Sequence, residues 1–129
     1  MKAPANLKFT KSHEWVLVED NIVTIGIADY AQQELGDITY LELPEVGASV
    51  SAGEPFAVVE SVKAAADIYA PLDGEVLERN ESAVDSPEVI NTSPYGEAWL
   101  VKIQVSEPAQ VDGLMSATDY DTFAEALAH

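Results

Sequence analysis

The chain has 129 residues, 23 of them acidic and 6 basic, and its formal net charge of -17 disfavours binding to nucleic acid or to an anionic membrane surface. Hydrophobic residues make up 47% of the chain, which predicts a folded protein, and the length suits a single domain over residues 1–129. Because the sequence contains no cysteine, disulfides, thiolate nucleophiles and cysteine metal sites are excluded.

Apolar and polar residues alternate through the first third of the chain, which is the pattern of half-buried strands. From Ala28 to Leu35 the apolar spacing becomes that of a helix, with Asp29 near its start and Gly36 at its end. We therefore expect a short helix near 28–35, between strands. The expected strands cover residues 7–10, 14–18, 22–27 and 37–43.

The last third of the chain continues the strand pattern and then changes to a helical one. Strands are expected at Val89-Ile90 and from Ala98 to Val105, and Pro108 ends the sheets. Ser116 is a typical N-cap residue, which predicts a terminal helix over about 116–128 that packs on the sheets. The apolar stripe of that helix consists of Tyr120, Phe123, Ala124 and Leu127.

Lys63 is isolated, since it is the only Lys or Arg from Ser12 through Glu78, and small residues follow it. Pro55 and Pro71 bracket its segment. Helical spacing and three consecutive alanines favour a helix there, whereas β-branched and aromatic residues on both sides favour two strands joined at the lysine. No Gly or Asn marks a turn, so a turn would need negative φ. Periodicity leaves both interpretations open, and an isolated lysine is most often a solvated charge.

Three stretches of the sequence carry a family resemblance. They are Ser12-His13-Glu14-Trp15-Val16; Glu60-Ser61-Val62-Lys63-Ala64-Ala65 with Asp67-Ile68-Tyr69-Ala70-Pro71 and Gly74-Glu75-Val76; and Asn91-Thr92-Ser93-Pro94-Tyr95-Gly96 with Trp99-Leu100. Together they resemble the glycine cleavage system H protein family across nearly the whole chain, and the second stretch resembles its lipoylation region. Ala66 and Asp73 stand where serine is common in the family, and neither adjoins the lysine.

The resemblance implies a fold, a cofactor and a set of partners. The fold is mainly β, a flattened lipoyl/biotinyl-type barrel (barrel-sandwich hybrid), so that Lys63 lies on a surface turn over 61–65 between two strands. Lipoate would be joined to Lys63 by a lipoate-attaching enzyme, which would read Glu60 and Ala64 beside it. The aminomethyl group of glycine would pass from the pyridoxal-phosphate-dependent decarboxylase (P protein) to the tetrahydrofolate-dependent aminomethyltransferase (T protein). Dihydrolipoyl dehydrogenase (L protein) would then reoxidise the arm.

The implied cargo is a protonated amine, and a carboxylate near the arm would favour that cation and accept its hydrogen bonds. Two acids fall inside the family-like stretches: Glu14, and Asp67 four residues after the lysine. We expect these two residues to shelter the cargo. The alternative for any of the 23 acids is an ordinary solvated charge.

Residues for independent catalysis are missing from the sequence. His13 and His129 are its only histidines, and without cysteine they cannot build a histidine-rich metal site or a Cys/His pair. We expect a non-catalytic carrier with no metal and no nucleic-acid or membrane partner, and the absence of a signal or transit pattern predicts a cytoplasmic protein. One alternative is a lipoyl or biotinyl carrier of another complex, although Val62 and Ala64 suit neither type. The other is an unmodified acidic interaction module.

Overall fold

The computed structural model describes residues 4–127, and antiparallel strands dominate this part of the chain. Short turns and four α-helices connect ten strands within it. The strands are β1 (Lys8–Phe9), β2 (Glu14–Glu19), β3 (Ile22–Ile27), β4 (Ile38–Glu42), β5 (Ser49–Val50), β6 (Pro55–Ser61), β7 (Ala65–Tyr69), β8 (Gly74–Arg79), β9 (Val101–Val105) and β10 (Met115–Ser116). The helices are α1 (Asp29–Leu35), α2 (Glu81–Asp85), α3 (Val89–Thr92) and α4 (Ala117–Leu127), and Pro108–Gly113 forms a 3-10 helix.

The strands form two sheets, and this arrangement confirms the predicted mainly β fold. The larger sheet has the order β10-β1-β2-β3-β9-β8-β5, and the smaller one has the order β4-β6-β7. Among the described residues, backbone pairing stays within each sheet and does not run around a closed barrel. In the smaller sheet β6 is the central strand, with an antiparallel neighbour on each side.

Alternating burial in the smaller sheet separates a core face from an outer face. Along β6, Ala57 and Val59 are buried while the side chain of Glu60 is exposed, as the two-residue period of a strand requires. The core face meets buried aliphatic residues of the larger sheet, among them Ile25 and Ile103. This shared core fixes where the smaller sheet, and hence the segment around Lys63, stands on the protein.

The predicted helices near 28–35 and 116–128 are both present. The C-terminal helix α4 starts where Ser116 was expected to cap it, since the Asp119 N–H donates to Ser116 Oγ at 3.1 Å. It packs on the N-terminal strand through Tyr120, whose ring stacks on Phe9 with centroids 4.4 Å apart. Position 128 lies outside the described residues, as does His129. Within residues 4–127, no helix combines the length and apolar character that a membrane crossing requires.

The strand predicted at Val89-Ile90 is wrong, because these residues begin helix α3. A run of turn hydrogen bonds starts just before them, with the Val89 N–H donating to the Ser86 oxygen at 3.0 Å and the Ile90 N–H donating to the Pro87 oxygen at 3.1 Å. Pro87, whose φ is fixed near that of a turn, lies in the turn that leads into this helix, two residues before Val89. Burial of Ile90 then overrides the strand preference of two β-branched residues.

Trp15 joins two distant parts of the chain. Its indole Nε1 donates to the Pro94 oxygen at 2.8 Å, and on the neighbouring strand Gly26 stands directly opposite it. A Cβ at Gly26 would overlap the indole ring. Glycine is therefore required at position 26, because the indole ring of Trp15 lies where a side chain would be. The hydrogen bond to Pro94 keeps the ring from moving aside.

We expect Gly26→Ala to lower the free energy of unfolding by about 1–3 kcal/mol, the usual range for overpacking a core. Gly113→Ala is the matched control, since a Cβ there meets no atom within 4 Å. The free energy of unfolding of both variants is measured by urea titration, with tryptophan fluorescence as the signal. Equal stability of the two would contradict the packing argument.

Candidate functional site

Lys63 stands exposed on the turn that joins β6 to β7. Val62 and Ala64 on either side of it are also exposed, and the side chain of Val62 retains 72% of its accessible surface. The segment is therefore two strands and a surface turn, as the family resemblance implied, and not a helix. This geometry leaves the lysine accessible at the end of the hairpin.

Ser61 organises the turn. Its N–H donates to the Ala64 oxygen at 2.7 Å, and its Oγ accepts the N–H groups of Lys63 at 3.3 Å and Ala64 at 3.1 Å. Among the described non-glycine residues only His13 and Asp20 have positive φ, so the lysine turn keeps the negative φ that its residues require. Sequence reasoning missed this role of Ser61, although serine at the first position of a turn is its usual signal.

A second anchor ties the turn to the start of β4. The Val62 N–H donates to the Asp37 oxygen at 3.1 Å, and Ile38 pairs with Ser61 in the smaller sheet. Gly36, with φ of 80°, ends α1 beside the turn, and a Cβ there would lie 3.7 Å from Cε of Lys63. The lysine stem therefore passes over a residue without a side chain.

The expected recognition residues flank the lysine on accessible surface. Glu60 lies on the outer face of the smaller sheet, opposite Tyr40 of β4 and Ala65 of β7, and Ala64 follows the lysine in the turn. All four of these side chains are exposed. Within residues 4–127, Lys63 forms no ion pair. Lys63, Glu60 and Ala64 are thus all accessible to a partner.

Glu14 is almost fully buried, with 2% of its surface exposed. Its Oε1 accepts the hydroxyls of Thr10 at 2.5 Å and Ser12 at 2.7 Å, and its Oε2 accepts the Tyr69 N–H at 3.3 Å. Burial raises the pKa of Glu14, and the hydrogen bonds from Ser12, Thr10 and the Tyr69 backbone oppose that shift. Oε1 therefore accepts two short hydrogen bonds, whereas the hydrogen bond from Tyr69 to Oε2 is longer.

The structure brings both expected shelter residues to β7, the strand that leaves the lysine turn. Glu14 reaches it through the Tyr69 N–H, and Asp67 lies two residues earlier on the same strand. They differ in environment, because Asp67 is exposed while Glu14 is buried. The two acids thus lie along the same strand but are not equally accessible.

His13 belongs to an aromatic cluster that joins the Glu14 segment to α4. Its Nδ1 is 2.7 Å from the Tyr120 hydroxyl, and its ring lies 4.5 Å from that of Tyr30. Burial lowers the pKa of His13, and the charge of Glu34 partly opposes this shift. Within residues 4–127, no group of three or more His, Asp or Glu side chains is arranged to hold a metal ion.

Comparisons with known proteins agree with this geometry. The family model described as Glycine cleavage H-protein matches residues 7–127. The glycine cleavage system H protein of Carboxydothermus hydrogenoformans is 50% identical over 122 residues, covering 95% of this chain and 94% of that protein. That of Chromohalobacter salexigens is 52% identical over 124 residues, covering 95% of each. A crystal structure of a glycine cleavage system H protein from Mycobacterium marinum matches with a TM-score of 0.82 at 39% identity, covering 92% of this chain and 95% of that one.

The chain belongs to the glycine cleavage H-protein family. Membership confirms the predicted role as the carrier protein of glycine cleavage and accounts for the three family-like stretches. The residues of the turn also fit the lipoyl group that the family implies. Lys63 is exposed and free of ion pairs within the described residues, while the backbone on both sides of it is held by Ser61 and Asp37.

The buried Glu14 of this H-protein chain should make its stability depend on pH. Since burial raises the pKa in the folded state, the unfolded chain ionises first, and the stabilisation from this group is lost as pH rises from the ordinary value of 4.5 through the folded pKa. Glu14→Gln removes that titration. We expect the stability of the wild type relative to this variant to fall between pH 4 and pH 7, measured by urea unfolding. A constant difference across that range would contradict the assignment.

Proposed function

We propose that Lys63 carries a lipoyl group in amide linkage and that the chain uses it to pass the aminomethyl group of glycine from the P protein to the T protein, with the L protein restoring the oxidised arm. The observation that carries this proposal is the position of Lys63, exposed at the tip of a turn whose backbone is hydrogen-bonded on both sides. The chain itself is a non-catalytic carrier.

When attached, the lipoyl dithiolane supplies a redox-active disulfide that accepts the aminomethyl carbon and two electrons. The contribution of the chain is mechanical and electrostatic. Strands β6 and β7 hold the root of the arm, so that the free end samples a limited volume and reaches each partner at high effective concentration. If the root lay on a flexible loop, the effective concentration of the free end at each partner would be lower.

Glu60 and Ala64 are the proposed contacts of the lipoate-attaching enzyme. Glu60 offers a carboxylate on the outer face of the sheet, and Ala64 leaves the space beside the lysine open. A basic group on the enzyme would pair with Glu60 and orient the turn.

Glu14 and Asp67 are the proposed shelter for the protonated amine of the cargo. Exposed Asp67 would meet the cation first, and Glu14 would accept it on Oε2, whose hydrogen bond from Tyr69 is 3.3 Å long. An arriving cation would also favour the ionised form of Glu14. The cargo would thus exchange hydration for fixed acceptors, which slows its loss to water.

Lipoyl attachment at Lys63 can be checked by peptide mass spectrometry of protein produced with lipoate and an attaching enzyme. We expect the modification on Lys63, and we expect Lys63→Arg to remain bare while unfolding within about 0.5 kcal/mol of the wild type, because the side chain is exposed. A wild-type chain that stays bare beside a competent attaching enzyme, tested in parallel on another lipoyl acceptor, would refute the proposal.

The shelter is tested by the lifetime of the loaded state in isolated protein. We expect Glu14→Ala to lose the aminomethyl cargo about tenfold to a hundredfold faster than the wild type, since it removes a buried charge-assisted hydrogen bond of about 1.5–3 kcal/mol. Asp67→Ala should lose the cargo several-fold faster, because an exposed charge pair is weaker. Glu75→Ala is the matched control, an exposed acid on the larger sheet. If both site variants accept lipoate and hold the cargo as long as the control does, the shelter assignment is wrong and the carrier assignment stands.

A further inference from the structure

Asn91 opens the third family-like stretch, and neither the arm nor its shelter uses it. It lies on α3, far along the chain from Lys63, yet its side chain reaches the segment that ends α1 and begins β4. That segment is the one that holds the lysine turn through Asp37.

The Asn91 amide makes three hydrogen bonds there. Its Oδ1 accepts the Ile38 N–H at 2.9 Å, and its Nδ2 donates to the Gly36 oxygen at 2.9 Å and to Gln32 Oε1 at 3.0 Å. The backbone groups fix which way the amide points, because an N–H can only donate and a carbonyl can only accept. Asn91 therefore clamps both sides of Asp37, at Gly36 and at Ile38.

The clamped residue is the one whose carbonyl reaches the lysine turn. Asp37 has its backbone oxygen 3.1 Å from the Val62 nitrogen, and Val62 directly precedes Lys63. A peptide unit held on both sides cannot rotate its carbonyl away without breaking a hydrogen bond to Asn91. The position of the turn is thus set partly by a side chain nearly thirty residues further along the chain.

We propose that Asn91 is a positioning residue for lipoyl attachment, which clamps Gly36 and Ile38 so that the Asp37 carbonyl holds Val62 and presents Lys63 to the attaching enzyme. The proposal rests on the proposed attachment at Lys63. Acyl transfer to an amine depends on close alignment of the reacting atoms, so a displaced turn slows the chemical step even when the docking surface is intact. Glu60 lies on β6, outside the displaced turn, and stays in place for docking, so the effect falls on turnover.

Asn91→Asp tests the clamp with almost no change of shape. The carboxylate still accepts the Ile38 N–H, but it presents an oxygen to the Gly36 carbonyl and to Gln32 Oε1, where the amide had donated. We expect kcat for lipoyl attachment to fall about tenfold with KM unchanged. We also expect amide hydrogen exchange at Val62 to become about tenfold faster, because its acceptor is no longer held.

Asn80→Asp is the matched control. Asn80 makes the same set of contacts elsewhere, with Oδ1 accepting the Ala83 N–H at 3.3 Å and Nδ2 donating to the oxygens of Glu97 at 2.8 Å and Trp99 at 2.6 Å. It should lose stability in the same way while leaving both the attachment kinetics and Val62 exchange at wild-type values. Both variants are assayed at a temperature at which circular dichroism shows them folded.

Wild-type kcat together with unchanged Val62 exchange in Asn91→Asp overturns the proposal, and so does an equal loss in Asn80→Asp. If Asn91→Asp does not fold, Asn91→Ala, which removes the hydrogen bonds to Gly36 and Ile38 without adding a charge, must show faster Val62 exchange, and unchanged exchange refutes the clamp. A wild type that is never lipoylated on Lys63 refutes the proposed function instead. In that case Val62 exchange still decides whether Asn91 holds the turn.

Discussion

The lysine turn depends on the hydrogen bonding of the central strand of the smaller sheet. β6 pairs with β4 on one side and with β7 on the other, so its end at Ser61 cannot shift without disturbing both ladders. The buried residues Ala57 and Val59 also tie the strand to the core. This is what separates Lys63 from an ordinary exposed lysine: its side chain is free while its Cα is held by the whole sheet.

The three family-like stretches form one connected unit, and the third stretch joins the other two. Its Pro94 oxygen accepts the Trp15 indole N–H, its Tyr95 hydroxyl accepts the Asp29 N–H at the start of α1, and its Asn91 side chain holds the end of that helix. Helix α1 is therefore fastened at both ends by residues of one short segment. The strand that carries Glu14 and the turn that carries Lys63 are thus placed relative to each other through this helix.

The sequence alone allowed several of the longer strands, the two longer helices and the isolated lysine to be predicted, because each leaves a local signal. The two strands beside the lysine were decided by the family resemblance. The alternation of apolar and polar residues from Glu14 to Val18, and serine at position 116 before an apolar stripe, are such signals. The strand at Val89-Ile90 was wrong because two β-branched residues are too short a pattern to outweigh the turn that begins at Pro87. The role of Asn91 was beyond prediction for another reason. Its partners lie more than fifty residues away in the sequence, and a local sequence pattern cannot indicate a contact between such distant residues.

The burial of Glu14 is unexpected, because a chain with 23 acids has ample surface on which to expose its carboxylates. Its neighbours supply hydrogen bonds, since the hydroxyls of Thr10 and Ser12 both donate to the carboxylate. His13, with a φ of 72°, forms part of the tight turn between these residues and Glu14. These donors offset part of the desolvation cost, but burial still raises the pKa, so the balance remains unfavourable to the charge. An apolar side chain would fill the same space without that cost. A buried carboxylate beside the strand that leaves the lysine turn is therefore a cost to the fold, which the shelter role proposed for Glu14 would explain.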